Sequence, residues 1–182
     1  FGLTDNDLLP YMPVDPEKIH KAGTEVHYLG YYENWHPQAN YYFAVEHSDF
    51  QPSPERIPGT YGKYAGLDDK VDDFHFYTYF IKFGFGRAVH DASQEIRAGD
   101  ITREEGLALM RRYDGEFPER FAEDVFRFVS LPPEQFPEAS GMFEQPIMDR
   151  DYFDHLCDRS RSPHLWRHEN GRFTLRHSIP VA

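Results

Sequence analysis

Apolar residues along this chain fall into helical and extended spacings, and Gly and Pro mark where one gives way to the other. Residues 15–17 read Asp-Pro-Glu, which places proline at a first helical position, and a short helix is expected from there to Gly23. Residues 22–32, AGTEVHYLGYY, form a β-branched and aromatic run that predicts one strand. A lone strand makes no sheet. This one is expected to pair with later β candidates or to be the last strand of a sheet whose other members lie upstream. Residues 50–62 hold three prolines and two glycines, a density that predicts a long loop.

Beyond the loop the spacing turns helical. Residues 67–97 are expected to run as helix interrupted at Gly84 and Gly86, with Asp68 and Asp69 in a first turn, where carboxylates meet the positive end of the dipole. On that helix His75, Tyr79, Lys82 and Gly86 lie near one face, and Phe76, Phe80 and Phe83 form an adjacent face that reads as core. Thr102-Arg103-Glu104-Glu105 is a capping box and predicts a helix to Tyr113, which Asp114-Gly115 ends. Phe117-Pro118-Glu119 opens another helix, in which Phe121, Val125, Phe128 and Val129 share a face. Short helices are expected at 132–136 and 149–158. Residues 165–168 and 172–177 flank Glu169-Asn170-Gly171, and Asn-Gly between strand-like runs predicts a hairpin. The expected fold class is mainly α with minor β (α+β). Its parts are the end of an α/β domain (1–49), a Pro/Gly-rich loop (50–66) and a helical C-terminal domain with a terminal β-hairpin (67–182).

Composition narrows function by exclusion. With 19 Lys+Arg against 31 Asp+Glu, the 182 residues carry a net charge of −12, which repels phosphate backbones and anionic lipid. General nucleic-acid binding is not expected, although a local basic pocket is compatible with that balance. No stretch approaches the ~20 apolar residues of a membrane span, and a soluble chain is expected. Cys157 is the one cysteine, so no internal disulfide or two-cysteine zinc site can form, and a cytoplasmic setting is favoured. Ten histidines include no H-E-x-x-H, and the nearest grouping, Cys157 with His164 and His168, reads as a turn with surface histidines. The chain starts at Phe1 without a basic-plus-apolar leader, and further protein is expected upstream.

The densest chemistry lies in residues 59–97, GTYGKYAGLDDKVDDFHFYTYFIKFGFGRAVHDASQEIR. Lys82 and Arg87 project near two glycines without side chains, so a phosphate can approach backbone and cations together. Arg offers a planar fork and Lys a compact charge. The alternative is that both cations pair with carboxylates of an acidic protein. Lys63, in a glycine-flanked loop, either folds over a bound nucleotide or is a solvated lysine. Gly84-x-Gly86 lacks the third glycine and preceding strand of a dinucleotide fingerprint. No metal site is expected. The weak exception is Asp68 and Asp69, which with Asp72 and Asp73 suit either Mg²⁺ or an acidic first turn.

Residues 28–46 (YLGYYENWHPQANYYFAVE), the 59–97 block and residues 100–118 (DITREEGLALMRRYDGEFP) resemble the C-terminal half of the N-acetyl sugar amidotransferase family. The resemblance covers most of residues 22–177. Members are PP-loop ATP pyrophosphatases of the adenine nucleotide alpha-hydrolase class, acting in surface polysaccharide (O-antigen) and nonulosonic-acid assembly. The resemblance therefore implies the helical C-terminal portion of an α/β enzyme of that class. It implies a ligase that uses ATP with Mg²⁺ in the full-length enzyme to convert a sugar acetamido group to acetamidino. The substrate would be a nucleotide-linked or free N-acetyl sugar, and the ammonia would come from a glutaminase subunit. The family's Ser-Gly-Gly-Lys-Asp-Ser phosphate loop and N-terminal cysteine cluster are absent here, so the chain alone is expected to be inactive.

No catalytic residue is assigned by the resemblance. Lys63, Lys82, Gly84, Gly86 and Arg87 stand as candidates for ATP or pyrophosphate, and Trp35, Tyr61, Tyr64 and Tyr77 for a sugar-facing wall, with core packing as the alternative for the aromatic residues. A second reading is a non-catalytic helical module for dimerisation or partner binding, and a homodimer fits both. A PP-loop enzyme acting on tRNA is disfavoured by the acidic balance.

Overall fold

A computed structural model describes residues 2–135 and 144–177, which divide between Trp35 and His36 into two compact units. The boundary expected after residue 49 is thus found earlier, because the helix that follows His36 joins the second unit.

In the first unit, Asp7 accepts the Thr4 N–H and hydroxyl at 2.8 and 2.7 Å and starts the short α1 (Asp5–Leu8), which passes into a 3-10 turn, Leu9–Tyr11. Helix α2 (Pro16–Ala22) forms where expected: Asp15 accepts the Glu17 N–H, and Gly23, at φ +61°, ends it. The strand expected over 22–32 is not formed. Residues 24–28 join no ladder, and Leu29–Tyr32 make one helical turn, α3. A strand needs a neighbour for its N–H and C=O groups, and no described residue of this unit supplies one. Every described residue of this unit is exposed.

The second unit is mainly helical. Helix α4 (Pro37–His47) starts with proline at its first position and with His36 Nδ1 accepting the Ala39 N–H at 3.1 Å. The Pro/Gly-rich loop follows without regular structure, as expected. Helix α5 (Asp72–Phe83) begins later than expected. Gly66 takes φ +60° and Asp69 Oδ1 accepts the Val71 N–H at 2.7 Å, so Asp68 and Asp69 belong to the preceding turn while Asp72 and Asp73 enter the helix. Gly84, at φ +78°, ends α5, and α6 (Arg87–Ala98) starts three residues on. Thr102 and Glu105 make the expected capping box of α7 (Arg103–Tyr113).

A 3-10 turn, Glu119–Phe121, leads into α8 (Ala122–Val129). Its tighter winding breaks the expected phase: Val125 is buried, but Phe128 is 76% exposed and Phe126 takes the inner position. Of the short helix expected at 132–136, Pro133–Gln135 form a 3-10 turn and Phe136 lies outside the described residues. Asp149 caps α9 (Arg150–Ser160) by accepting the Tyr152 N–H at 2.8 Å. Strands β1 (Trp166–Glu169) and β2 (Arg172–Leu175) pair antiparallel with Trp166 opposite Leu175. Asn170 and Gly171 join them at φ 52° and 74°, the backbone a primed turn requires.

Aromatic side chains pack where α5, α8 and α9 meet, at the floor of an apolar groove. The Phe74 ring meets Phe117, Phe126 and Phe153 edge-on at 5.5, 5.6 and 5.6 Å. Cys157 is buried beside them, and burial pushes its thiol up to about 12. The hairpin joins this core through Trp166, whose indole N–H donates to the Ile81 carbonyl at 2.8 Å. That carbonyl lies in the last turn of α5, where no intrahelical donor remains for it. Among the described residues, no helix is long and apolar enough to cross a membrane.

Candidate functional site

At the glycine junction between α5 and α6, the place an anion was expected to take is held by the protein's own carboxylate. Asp114 Oδ2 accepts the Gly86 N–H at 2.8 Å at the positive end of α6. Burial pushes the Asp114 carboxyl up, and the N–H groups of Gly86, Val89 and Ala88 act against that shift. Arg87 is buried, with Nη1 2.5 Å from Asp72 Oδ2 and its guanidinium 4.3 Å over the Phe76 ring. Lys82 is exposed, with Nζ 5.2 Å from the Phe83 ring centre and no carboxylate within ion-pair distance among the described residues.

The expected convergence of Lys82 and Arg87 on one cavity is therefore corrected. Lys82 lines an apolar groove of about 920 Å³ beside Phe74, Tyr79, Ile81, Phe126 and Leu156, while Arg87 is taken up by Asp72. The junction does not fit a nucleotide phosphate with Mg²⁺. Gly84 serves as the helix end against Leu175, Gly86 as a donor to Asp114, and Arg87 as an internal ion pair. Among the described residues, no group of three or more His, Cys, Asp or Glu could hold a metal ion, and Asp68 and Asp69 do not complete one.

A second polar cluster was not anticipated as a whole. Arg87, Asp91 and Glu95 occupy successive turns of α6, and the Pro/Gly-rich loop crosses them. Thr60 Oγ1 donates to Asp91 Oδ2 at 2.6 Å, and the Tyr61 hydroxyl donates to Glu95 Oε2 at 2.9 Å. From α4, Gln38 Nε2 donates to the other Glu95 oxygen at 3.2 Å. Tyr64 stacks on Tyr41 with ring centres 4.5 Å apart, and His36 Nε2 lies 3.3 Å from Asp100 Oδ1. Burial pushes the carboxyls of Asp91 and Glu95 up, raises the Tyr61 phenol, and moves Tyr64 to about 12. The Thr60 and Tyr61 hydroxyls and the Gln38 amide meet carboxylates here, an acidic arrangement that disfavours a phosphate.

Of the four aromatic residues expected at a sugar wall, Tyr61 and Tyr64 come together here. Tyr77 does not: its ring packs against Phe117 and Phe153 at 5.2 and 6.1 Å in the aromatic core. Trp35 belongs to the first unit and is 64% exposed. Lys63 is exposed, and its ammonium donates to the Pro54 carbonyl at 2.9 Å within the loop. Gln38, Thr60, Asp91 and Glu95 escaped the sequence analysis, though the four-residue spacing of the two acids carried a signal. Two acids one turn apart on a helix share a face and repel unless donors or cations meet them.

Residues 58–179 match a family model described as LPS biosynthesis protein WbpG-like, C-terminal domain. The matched residues run from the loop through α5–α9 to the hairpin. No curated protein matches the chain.

Proposed function

The chain belongs to the WbpG-like C-terminal domain family of LPS biosynthesis proteins, and from that premise we propose that it is part of an ATP-dependent N-acetyl sugar amidotransferase. The full-length enzyme converts a sugar acetamido group to acetamidino in surface polysaccharide assembly, with ATP and Mg²⁺, and takes ammonia from a glutaminase subunit. One observation carries this reading: the blocks at 59–97 and 100–118 that resemble that amidotransferase family lie wholly inside the matched residues 58–179.

Within this proposal the α6 stripe is the sugar wall. Tyr64 offers a ring face, and Glu95 and Gln38 fix the Tyr61 hydroxyl so that it is already oriented when substrate arrives. Of the residues singled out for phosphate, Lys63 and Lys82 are kept, because neither ammonium meets a carboxylate among the described residues. Gly84, Gly86 and Arg87 are assigned to the junction itself.

The test is turnover by the full-length protein with ATP, ammonia and a nucleotide-linked or free N-acetyl sugar, with the product read by mass spectrometry. Tyr64→Ala should raise the sugar KM about tenfold, near 1.4 kcal/mol of binding. If no acetamidino product forms with either sugar form, the proposal fails.

The apolar groove between α5, α8 and α9 favours a second reading, a helical module for dimerisation or partner binding. Phe83→Glu at its lip would then dissociate a dimer in analytical ultracentrifugation. A chain that sediments as a monomer at high concentration excludes the homodimer.

A further inference from the structure

We propose that the pocket beside the hairpin binds a diphosphate oxyanion, with Arg161, Arg167 and Arg176 as its cations. That the diphosphate belongs to a nucleotide-linked sugar rests on the function proposed above, whereas the oxyanion chemistry does not.

The pocket has a volume of about 500 Å³ and is lined by these three arginines together with Trp166, His168 and Phe173. In a chain of net charge −12, three guanidiniums around one hollow are a local reversal of sign. How each is held matters more than the count. Arg161 Nε donates to Asp158 Oδ1 at 3.1 Å, and Arg167 Nε donates to Thr174 Oγ1 at 3.2 Å and lies 3.4 Å from Glu169 Oε2. Arg176 Nε donates to the carbonyls of Pro163 and Trp166 at 2.7 and 3.1 Å. All of these hydrogen bonds use Nε, so the two terminal nitrogens of each guanidinium have no hydrogen-bond partner among the described residues. Those terminal nitrogens are the pair that grips an oxyanion bidentately.

The aromatic residues make this a formed pocket as well as a charged surface. The Arg161 guanidinium lies 4.2 Å over the Trp166 ring and 5.0 Å over the Phe173 ring, which fixes its plane. His168 tilts against Phe173 at 4.8 Å. Two acids oppose the cations: Glu169 lines the pocket and Asp158 pairs with Arg161. Neither pairs with Arg176, which enters the pocket with its charge uncompensated by any described carboxylate.

The test is calorimetric titration of the 182-residue chain at low salt with inorganic pyrophosphate, and separately with UDP-N-acetylglucosamine. Both should bind, more weakly as salt is raised. Arg167→Gln, at an exposed position, and Arg176→Lys, which keeps the charge but not the fork, should each weaken pyrophosphate at least fivefold, with circular dichroism confirming the fold. No pyrophosphate binding by the wild type, or unchanged binding in both folded variants, overturns the pocket. Tighter binding of the nucleotide sugar than of pyrophosphate supports a nucleotide-linked sugar as the source, and equal or weaker affinity overturns that source. Arginine-dependent pyrophosphate binding by a protein whose full-length form makes no acetamidino product supports this pocket while the proposed reaction fails.

Discussion

Arg56 and Glu116 meet fork to fork, Nη1 to Oε2 and Nη2 to Oε1, both at 2.7 Å, and the same Oε2 accepts the Gly59 N–H at 2.9 Å. Arg56 Nη1 also donates to the carbonyls of Ile57 and Thr60, and its guanidinium lies 4.6 Å over Tyr113. One ion pair thus ties the Pro/Gly-rich loop to the end of α7. That bond is what lets Thr60 and Tyr61 reach the acids of α6.

Glu116→Gln should lower unfolding free energy by about 1–2 kcal/mol near neutral pH, as for a charge-assisted bidentate bond at a partly exposed site. The bond to Arg56 holds the Glu116 carboxyl below its ordinary 4.5. A depressed folded pKa means that the stabilisation is present above 4.5 and is lost as pH falls through the lower folded value. Urea titrations should therefore show the gap between wild type and variant closing on acidification. A gap independent of pH would rule out the ion pair as its source.

Asp91 works in the opposite direction. Burial, the largest influence, raises its carboxyl above the ordinary 3.8, and the Thr60 hydroxyl only partly offsets this. The folded state then holds the proton more tightly than the unfolded state, so stability falls as pH rises from about 3.8 through the raised value. Asp91→Asn keeps an acceptor for Thr60 and removes the buried charge. Near neutral pH its melting temperature should exceed that of wild type, with the two converging in acid. A less stable variant at neutral pH contradicts this account.

Gly115 and Gly99 both adopt positive φ, at 77° and 86°, yet their surroundings differ. A Cβ at Gly99 would meet nothing within 4 Å, whereas one at Gly115 would lie 2.4 Å from Phe80 Cε1. Gly99→Ala should cost about 1–2 kcal/mol, the left-handed backbone penalty alone. Gly115→Ala should cost at least about 1 kcal/mol more, from displacing a packed ring. Equal losses in chemical denaturation would show that the Phe80 ring yields freely.

Trp166→Phe removes the donor to the Ile81 carbonyl and part of a buried ring system that includes Phe80, 5.4 Å away and edge-on. The loss should be about 2–4 kcal/mol, combining an orphaned carbonyl with unfilled volume. Hydrogen exchange should also speed up in the last turn of α5. A variant within about 0.5 kcal/mol of wild type would show that the hairpin docks without this bond.

Local signals were legible in the sequence, and distant partners were not. Asp15-Pro16, the Thr102–Glu105 box and Asn170-Gly171 each encode their structure within four residues, and each formed as expected. Helix α4 was missed, although His36-Pro37 at its start is a signal of the same kind. The strand over 22–32 failed because residue preference names a conformation without supplying the neighbour that stabilises it. Arg87 illustrates the same limit at the candidate site. Spacing placed it beside two glycines, but could not show that Asp72 would pair with it or that Asp114 would hold the Gly86 N–H. The α6 stripe became visible only once the loop lay across it.

The buried sulfur of Cys157 gives the chain a built-in reporter. A thiol pushed up to about 12 and buried against the aromatic core is almost wholly uncharged at neutral pH, and so slow to react with alkylating reagents. Cys157 borders the apolar groove, and labelling should speed up whenever α9 transiently parts from α5. With one sulfur in the sequence able to react this way, the rate of modification times the opening of that seam, and no fluorophore or engineered residue is needed.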